Sequence, residues 1–190
     1  MLGLVNNALE GFLRDTFGSS AWRGIVQRAG LAADRFEPLL HYPPELTNLV
    51  IETAEAELGR ARDTILEDLG TWLVSRRTGG RLRRLLRFGG VTFVDFLHSL
   101  EELPDRALLA MPDFVIPDLN LIEQGAGLFS MHFDEPFSGA QHVVVGALRA
   151  MADDYGALVL IECSESGILV QLLDAEFAEA RHFDLGMVGN

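Results

Sequence analysis

Apolar residues recur along this chain with two different periods, and the change falls just past its middle. From Leu2 to Thr16 they repeat at helical spacing, and G-S-S-A-W from Gly18 starts a second helix capped by Ser19 or Ser20, which makes Trp22 a core anchor. Pro43 and Pro44 break the chain before a helix over about Glu45 to Leu58, and another covers about Ala61 to Val74. L-R-R-L-L-R-F-G-G predicts a short helix stopped at Gly89 and Gly90, since glycine readily adopts the left-handed cap. Phe93, Phe96, Leu97, Leu100 and Leu103 then mark the buried face of a central helix. Pro104 lacks an amide hydrogen, and inside a helix its ring would meet the carbonyl of Leu100 at a cost of roughly 3 kcal/mol. The helix is therefore expected to end near Leu103, with Pro104 opening a second short helix.

Beyond this point the period shortens to two. Phe114 to about Glu123 and Leu128 to Phe133 alternate as half-buried strands, with Gly125 and Gly127 in the turn between them. Gly139 to Tyr155 reads as a long helix, and A-L-V-L-I-E-C and I-L-V-Q-L-L as two more strands. The predicted class is α+β in one domain over 1–190, helical over about 1–75 and mixed over about 76–190, with no linker between the halves.

Composition narrows the function. No apolar run approaches the roughly 20 residues that span a bilayer, so no membrane partner is expected. The start has no secretion-signal pattern, which fits a cytoplasmic protein. A net charge of -13 argues against a nucleic-acid partner. All 15 basic residues are arginine, and six of them (Arg76, Arg77, Arg81, Arg83, Arg84, Arg87) crowd one short region. They read either as a solvated surface or as a dock for carboxylates. Glu52, Glu55, Glu57, Glu67 and Asp68 form a second, acidic candidate dock. The single cysteine, Cys163, cannot form an internal disulfide and reads as a strand-end residue.

Three stretches carry a family resemblance. M-L-G-L-V-N-N-A-L-E at the start, T-F-V-D-F-L-H-S-L-E-E-L-P from Thr92 and G-A-Q-H-V-V-V-G-A-L from Gly139 follow one another in the order of the haem NO-binding, or H-NOX, family. L-G-T-W-L-V falls where that family has a glycine followed by aromatic residues on the distal side of the haem. The resemblance covers essentially the whole chain and implies the H-NOX fold of soluble guanylate cyclase sensor domains, nitric oxide sensing and signal transduction. It also implies a haem cofactor, whose iron the family holds through a histidine thirteen residues before a proline packed on the porphyrin. Counting back from Pro117 reaches Pro104, which has no lone pair to offer a metal. The family's Y-x-S-x-R motif, which binds the haem propionates, aligns with F-D-E-P-F, so Phe133, Glu135 and Phe137 stand where three donors would be.

By the same register Leu2, Val5, Trp72, Val143 and Ala147 fall at distal pocket positions and Leu100, Leu103 and Pro117 at proximal ones. Two outcomes stay open: a persistent apolar pocket, taking haem or an unknown apolar ligand, or a pocket filled by large side chains. His98, six residues before Pro104, is the alternative iron ligand, but lies about 120 degrees off that face. His132 is expected to point away from the pocket and His142 to face solvent; a metal site joining them to Asp134 and Glu135 is the less economical reading. No G-x-S-x-G, H-E-x-x-H or phosphate loop appears, and the histidines and cysteine look scattered, so no catalysis is expected. The predicted function is a non-catalytic, stand-alone H-NOX-family sensor acting through a protein partner; the alternative is a haem-based nitric oxide sensor using His98. In bacteria, family members that stand alone work with diguanylate cyclases or histidine kinases, and the resemblance implies such a partner here.

Overall fold

A computed structural model describes residues 3–75, 80–110, 117–125, 127–164 and 167–173. Seven helices and four strands are formed among them, in the order α1 (Leu4–Ala29), α2 (Pro44–Leu58), α3 (Arg62–Val74), α4 (Gly80–Arg87), α5 (Phe93–His98), α6 (Leu103–Ala110), β1 (Leu119–Gly125), β2 (Leu128–Phe133), α7 (Ala140–Tyr155), β3 (Val159–Ser164) and β4 (Gly167–Leu172). This is the α+β architecture that the two periods imply.

Helix α1 is two helices joined at Gly18, whose φ of 88° and ψ of 160° only glycine adopts readily. Behind that bend Trp22 is fully buried, its indole N–H donating to the carbonyl of Asp34 at 2.8 Å. The strands form one antiparallel sheet in the order β1-β2-β4-β3, with Leu119 opposite Phe133 and Met131 opposite Ile168. Of the first strand's predicted span, 114–116 lie outside the described residues.

The central helix is shorter than the sequence pattern suggests. It stops at His98, not near Leu103, and Pro104 is the second residue of α6. Two local interactions account for this. Thr92 and Asp95 close a capping box that fixes the start of α5. At the other end Arg106 donates to the carbonyl of Ser99 at 2.6 Å, and Ser99–Leu103 make tight turns instead of a further helical turn.

Two buried clusters result. One joins α1, α2 and α3 around Phe12, Trp22 and Ile51; the other joins α5 and α7 to the sheet around Phe96, Phe129 and Met151. Helices α3 and α7 cross at very close range, because a Cβ on Gly70 would overlap the Val143 carbonyl and one on Gly146 the Glu67 carbonyl. Such an approach needs glycine on both helices. It also sets the inner face of α7 against both clusters.

Candidate functional site

A cavity of about 570 Å³ lies between the two clusters. Its volume is ordinary for a small-molecule site. Leu4, Val5 and Ala8 of α1, Leu69, Leu73 and Val74 of α3, and Leu82 and Leu86 of α4 form one side. Val143, Val144, Ala147, Leu148 and Met151 of α7 form another, closed by Phe96, Leu100, Leu103, Pro117, Leu119, Phe133 and Phe137. His41 carries the one side chain with a nitrogen or oxygen atom among the described residues that line the cavity. His41 and Pro136 are also the two exposed lining residues, so they mark the mouth.

The loop bearing His41 is fastened to α1 by polar contacts. Glu10, itself buried, accepts from the N–H of Phe36 at 2.8 Å, and Asn7 donates to the carbonyl of Phe36 at 3.0 Å. Arg14 donates to the carbonyl of Asp34 at 2.7 Å, and the N–H of Gly3 donates to the carbonyl of Leu40 at 2.6 Å. The Asn6 carbonyl accepts from the Thr47 hydroxyl at 2.7 Å, tying α1 to α2. The polar residues Asn6, Asn7 and Glu10 of the N-terminal motif thus hold the wall together, while Leu4, Val5 and Ala8 line the cavity.

Comparison with known proteins places this arrangement. The family model described as Haem-NO-binding matches residues 2–163. The chain belongs to that family. It is 22% identical over 176 residues to soluble guanylate cyclase gcy-31 of Caenorhabditis elegans, and 18% over 158 residues to soluble guanylate cyclase 89Db of Drosophila melanogaster. Those alignments cover 93% and 83% of this chain but 24% of each relative, so the chain spans about a quarter of their length. Among solved structures it is similar to a mutant H-NOX protein from K. algicida in the Fe(II) unliganded form, with TM-score 0.75 and 16% identity over 93% of this chain and 99% of the other. An H-NOX protein from S. oneidensis in the Fe(II)NO state gives TM-score 0.72 at 12% identity, covering 90% of this chain and 99% of that one. At such identities these structures establish the H-NOX fold alone.

Haem is the cofactor the family name implies, and the lining tests whether it fits. Haem needs an axial ligand to iron and partners for two carboxylates. From the 93–110 stretch the cavity receives Phe96, Leu100 and Leu103, none of which can ligate iron. No arginine, serine or tyrosine is among the described lining residues. Glu135, in the register of the propionate motif, uses its carboxylate to cap α7, accepting from the N–H groups of Gly139 at 2.7 Å and Ala140 at 3.0 Å. Met151 and the rim histidine are the lining side chains able to bind a metal, and neither belongs to that stretch. The described residues do not fit a haem held in the manner the resemblance implies.

Of the residues assigned to the pocket by register, Val5, Leu100, Leu103, Pro117, Phe133, Phe137, Val143 and Ala147 line the cavity. Leu2 lies outside the described residues. Trp72 and Pro104 are not on the lining. Trp72 turns onto α1, edge to Phe12 at 6.2 Å, where Gly11 leaves room for the indole. His98 is not on the lining either. It is half exposed, 3.6 Å from Glu123, with its ring edge on Phe129. His41 lies in a loop, whose positions follow no hydrophobic period, so the sequence pattern alone does not single it out.

The polar groups outside the cavity depart further from expectation. His142 does not face solvent: its side chain is 15% exposed, with Nε2 3.3 Å from Asp63 and Nδ1 3.6 Å from both Glu67 and the Cys163 sulfur. The histidines and the cysteine are therefore not all scattered. Burial, then Glu67 and Asp63, push the Cys163 thiol above its ordinary range against the opposing pull of Arg149, so this group is held as a thiol and not as a nucleophilic thiolate. Among the described residues no three His, Cys, Asp or Glu side chains are placed to hold a metal ion, and no helix is long and apolar enough to cross a membrane.

Each candidate dock is in part occupied from within. Arg83 grips Asp154 with two bonds of 2.6 and 2.7 Å, and Arg87 lies over the Tyr155 ring at 4.5 Å. Arg76, Arg77 and the side chain of Arg81 lie outside the described residues. Glu67 pairs with Arg149, Asp68 with Arg60 and Glu57 with Arg28, while Glu55 accepts from the N–H of Arg62.

Proposed function

We propose that this chain is a non-catalytic signalling module of the H-NOX family that does not hold haem through a proximal histidine and passes its signal to a protein partner. Pro104 stands at the position where the family's register puts that histidine, and an apolar ligand other than haem occupies the cavity. The observation that carries this reading is the lining, apolar apart from the rim imidazole among the described residues. A partner of the diguanylate cyclase or histidine kinase class is the one the family suggests. The alternative, iron held by His98, gains no support from a ring that sits half exposed beside Glu123.

The deciding test is the absorption spectrum of protein produced with a haem supply, for the wild type and for His98→Ala and His41→Ala. The expected result is no Soret band at stoichiometric intensity in any of the three, and no saturable uptake of added hemin. A stoichiometric band in the wild type that disappears in one histidine variant contradicts the proposal and identifies the ligand.

A further inference from the structure

The lining says more about a ligand than that it is apolar. A molecule reaching into the cavity meets Leu, Val, Ala, Phe, Pro and Met side chains throughout, and among the described residues one hydrogen-bonding side chain, the rim imidazole of His41. A neutral imidazole offers one donor and one acceptor. No arginine or lysine is among the described residues of the lining to meet an anionic head, and the chain as a whole carries a net charge of -13. A carboxylate or phosphate at the mouth would lose hydration without gaining a counter-charge from the described lining residues. A hydroxyl or carbonyl loses far less and finds a partner in the imidazole.

We infer that the ligand is an uncharged amphiphile with a single polar head, a hydroxyl or a carbonyl, hydrogen-bonded to His41 while its apolar body fills the space between α1, α3 and α7. This rests on the reading that the cavity holds a ligand other than haem. It adds a head-group class and the residue that reads it. The loop contacts described above supply the preorganisation, because His41 follows Leu40 directly and the carbonyl of Leu40 is fixed by the N–H of Gly3.

Displacement of the neutral fluorophore N-phenyl-1-naphthylamine from the full chain at pH 8 tests the inference, with 1-dodecanol, dodecanoate and dodecane as competitors of one chain length. Dodecanol is expected to displace the dye at a concentration at least tenfold lower than dodecanoate. In His41→Leu its advantage over dodecane, about fivefold to tenfold, is lost, while dodecane itself is unchanged. Val143→Trp, and independently Ala147→Leu, weaken all three by occupying the cavity. Dodecanoate binding as tightly as dodecanol overturns the uncharged head, and a dodecanol affinity indifferent to His41→Leu overturns the assigned residue. In both cases the cavity still counts as a ligand site. Binding that neither cavity variant weakens, or no dye binding at all, overturns both this inference and the ligand reading beneath it.

Discussion

Neighbouring residues at the cavity wall face two different environments, and the contrast is sharpest along α7. Val143 and Ala147 line the cavity, while His142 and Gly146, each one residue earlier, face α3. The same division recurs where Phe96 lines the cavity and Asp95 caps its own helix, and where Pro136 lines the mouth and Glu135 caps α7. Inward positions are apolar and loosely filled. On the outward side Asp95 and Glu135 accept from backbone N–H groups, and His142 sits against Asp63 and Glu67. Polar side chains at these positions stabilise the frame, and among the described residues His41 alone brings a nitrogen or oxygen atom to the cavity lining.

The largest effect is expected from adjacent substitutions on α7. Gly146→Val drives a side chain into the Glu67 carbonyl, and urea unfolding is predicted to lose about 3 kcal/mol or more, because the obstacle is backbone. Ala147→Leu adds bulk one residue later, where there is space, and is predicted to change stability by less than about 1 kcal/mol. Equal losses would mean that the cavity side of α7 is as tightly packed as the α3 side.

The helices and strands were largely legible because their apolar periods are long and their ends carry glycine or proline. The register of α7 could be read from Gly139 and Gly146. What period could not show is where a local bond competes with propensity. Leu100 and Leu103 keep the helical spacing, yet Arg106 satisfies the carbonyl of Ser99 and the helix has already ended at His98. The sides taken by Trp72 and His142 are not legible from period for a related reason, since each depends on a glycine or an acid supplied by another helix. Glu135 stands where the propionate motif would have a donor, and its spacing of four residues from Gly139 also permits a cap.

That cap provides the next comparison. Glu135→Ala removes the acceptor for two N–H groups at the start of α7 and is predicted to cost about 1 kcal/mol in the same unfolding assay. Glu135→Gln keeps an oxygen in place and is expected to recover most of it. If both variants unfold like the wild type, the carboxylate does not act as a cap.

A smaller, pH-dependent effect is expected at Asp95. The N–H and hydroxyl of Thr92 hold its carboxyl below the usual carboxylate range, so the folded pKa lies under the unfolded value of about 3.9. The stabilisation is present above that unfolded value and is lost as pH falls through the folded one. Thermal melts should therefore show Asp95→Asn less stable than wild type at pH 7, with the gap closing below about pH 4. A gap that persists unchanged into acid would mean that charge is not what Asp95 contributes.

What the apolar space between α1, α3 and α7 accepts is read directly by the mass of the intact protein. Native mass spectrometry of the chain, produced with a haem supply and never exposed to denaturant, is predicted to show the bare chain together with adducts of uncharged lipid-like molecules, with no haem adduct. A stoichiometric haem adduct that survives gas-phase activation would contradict it.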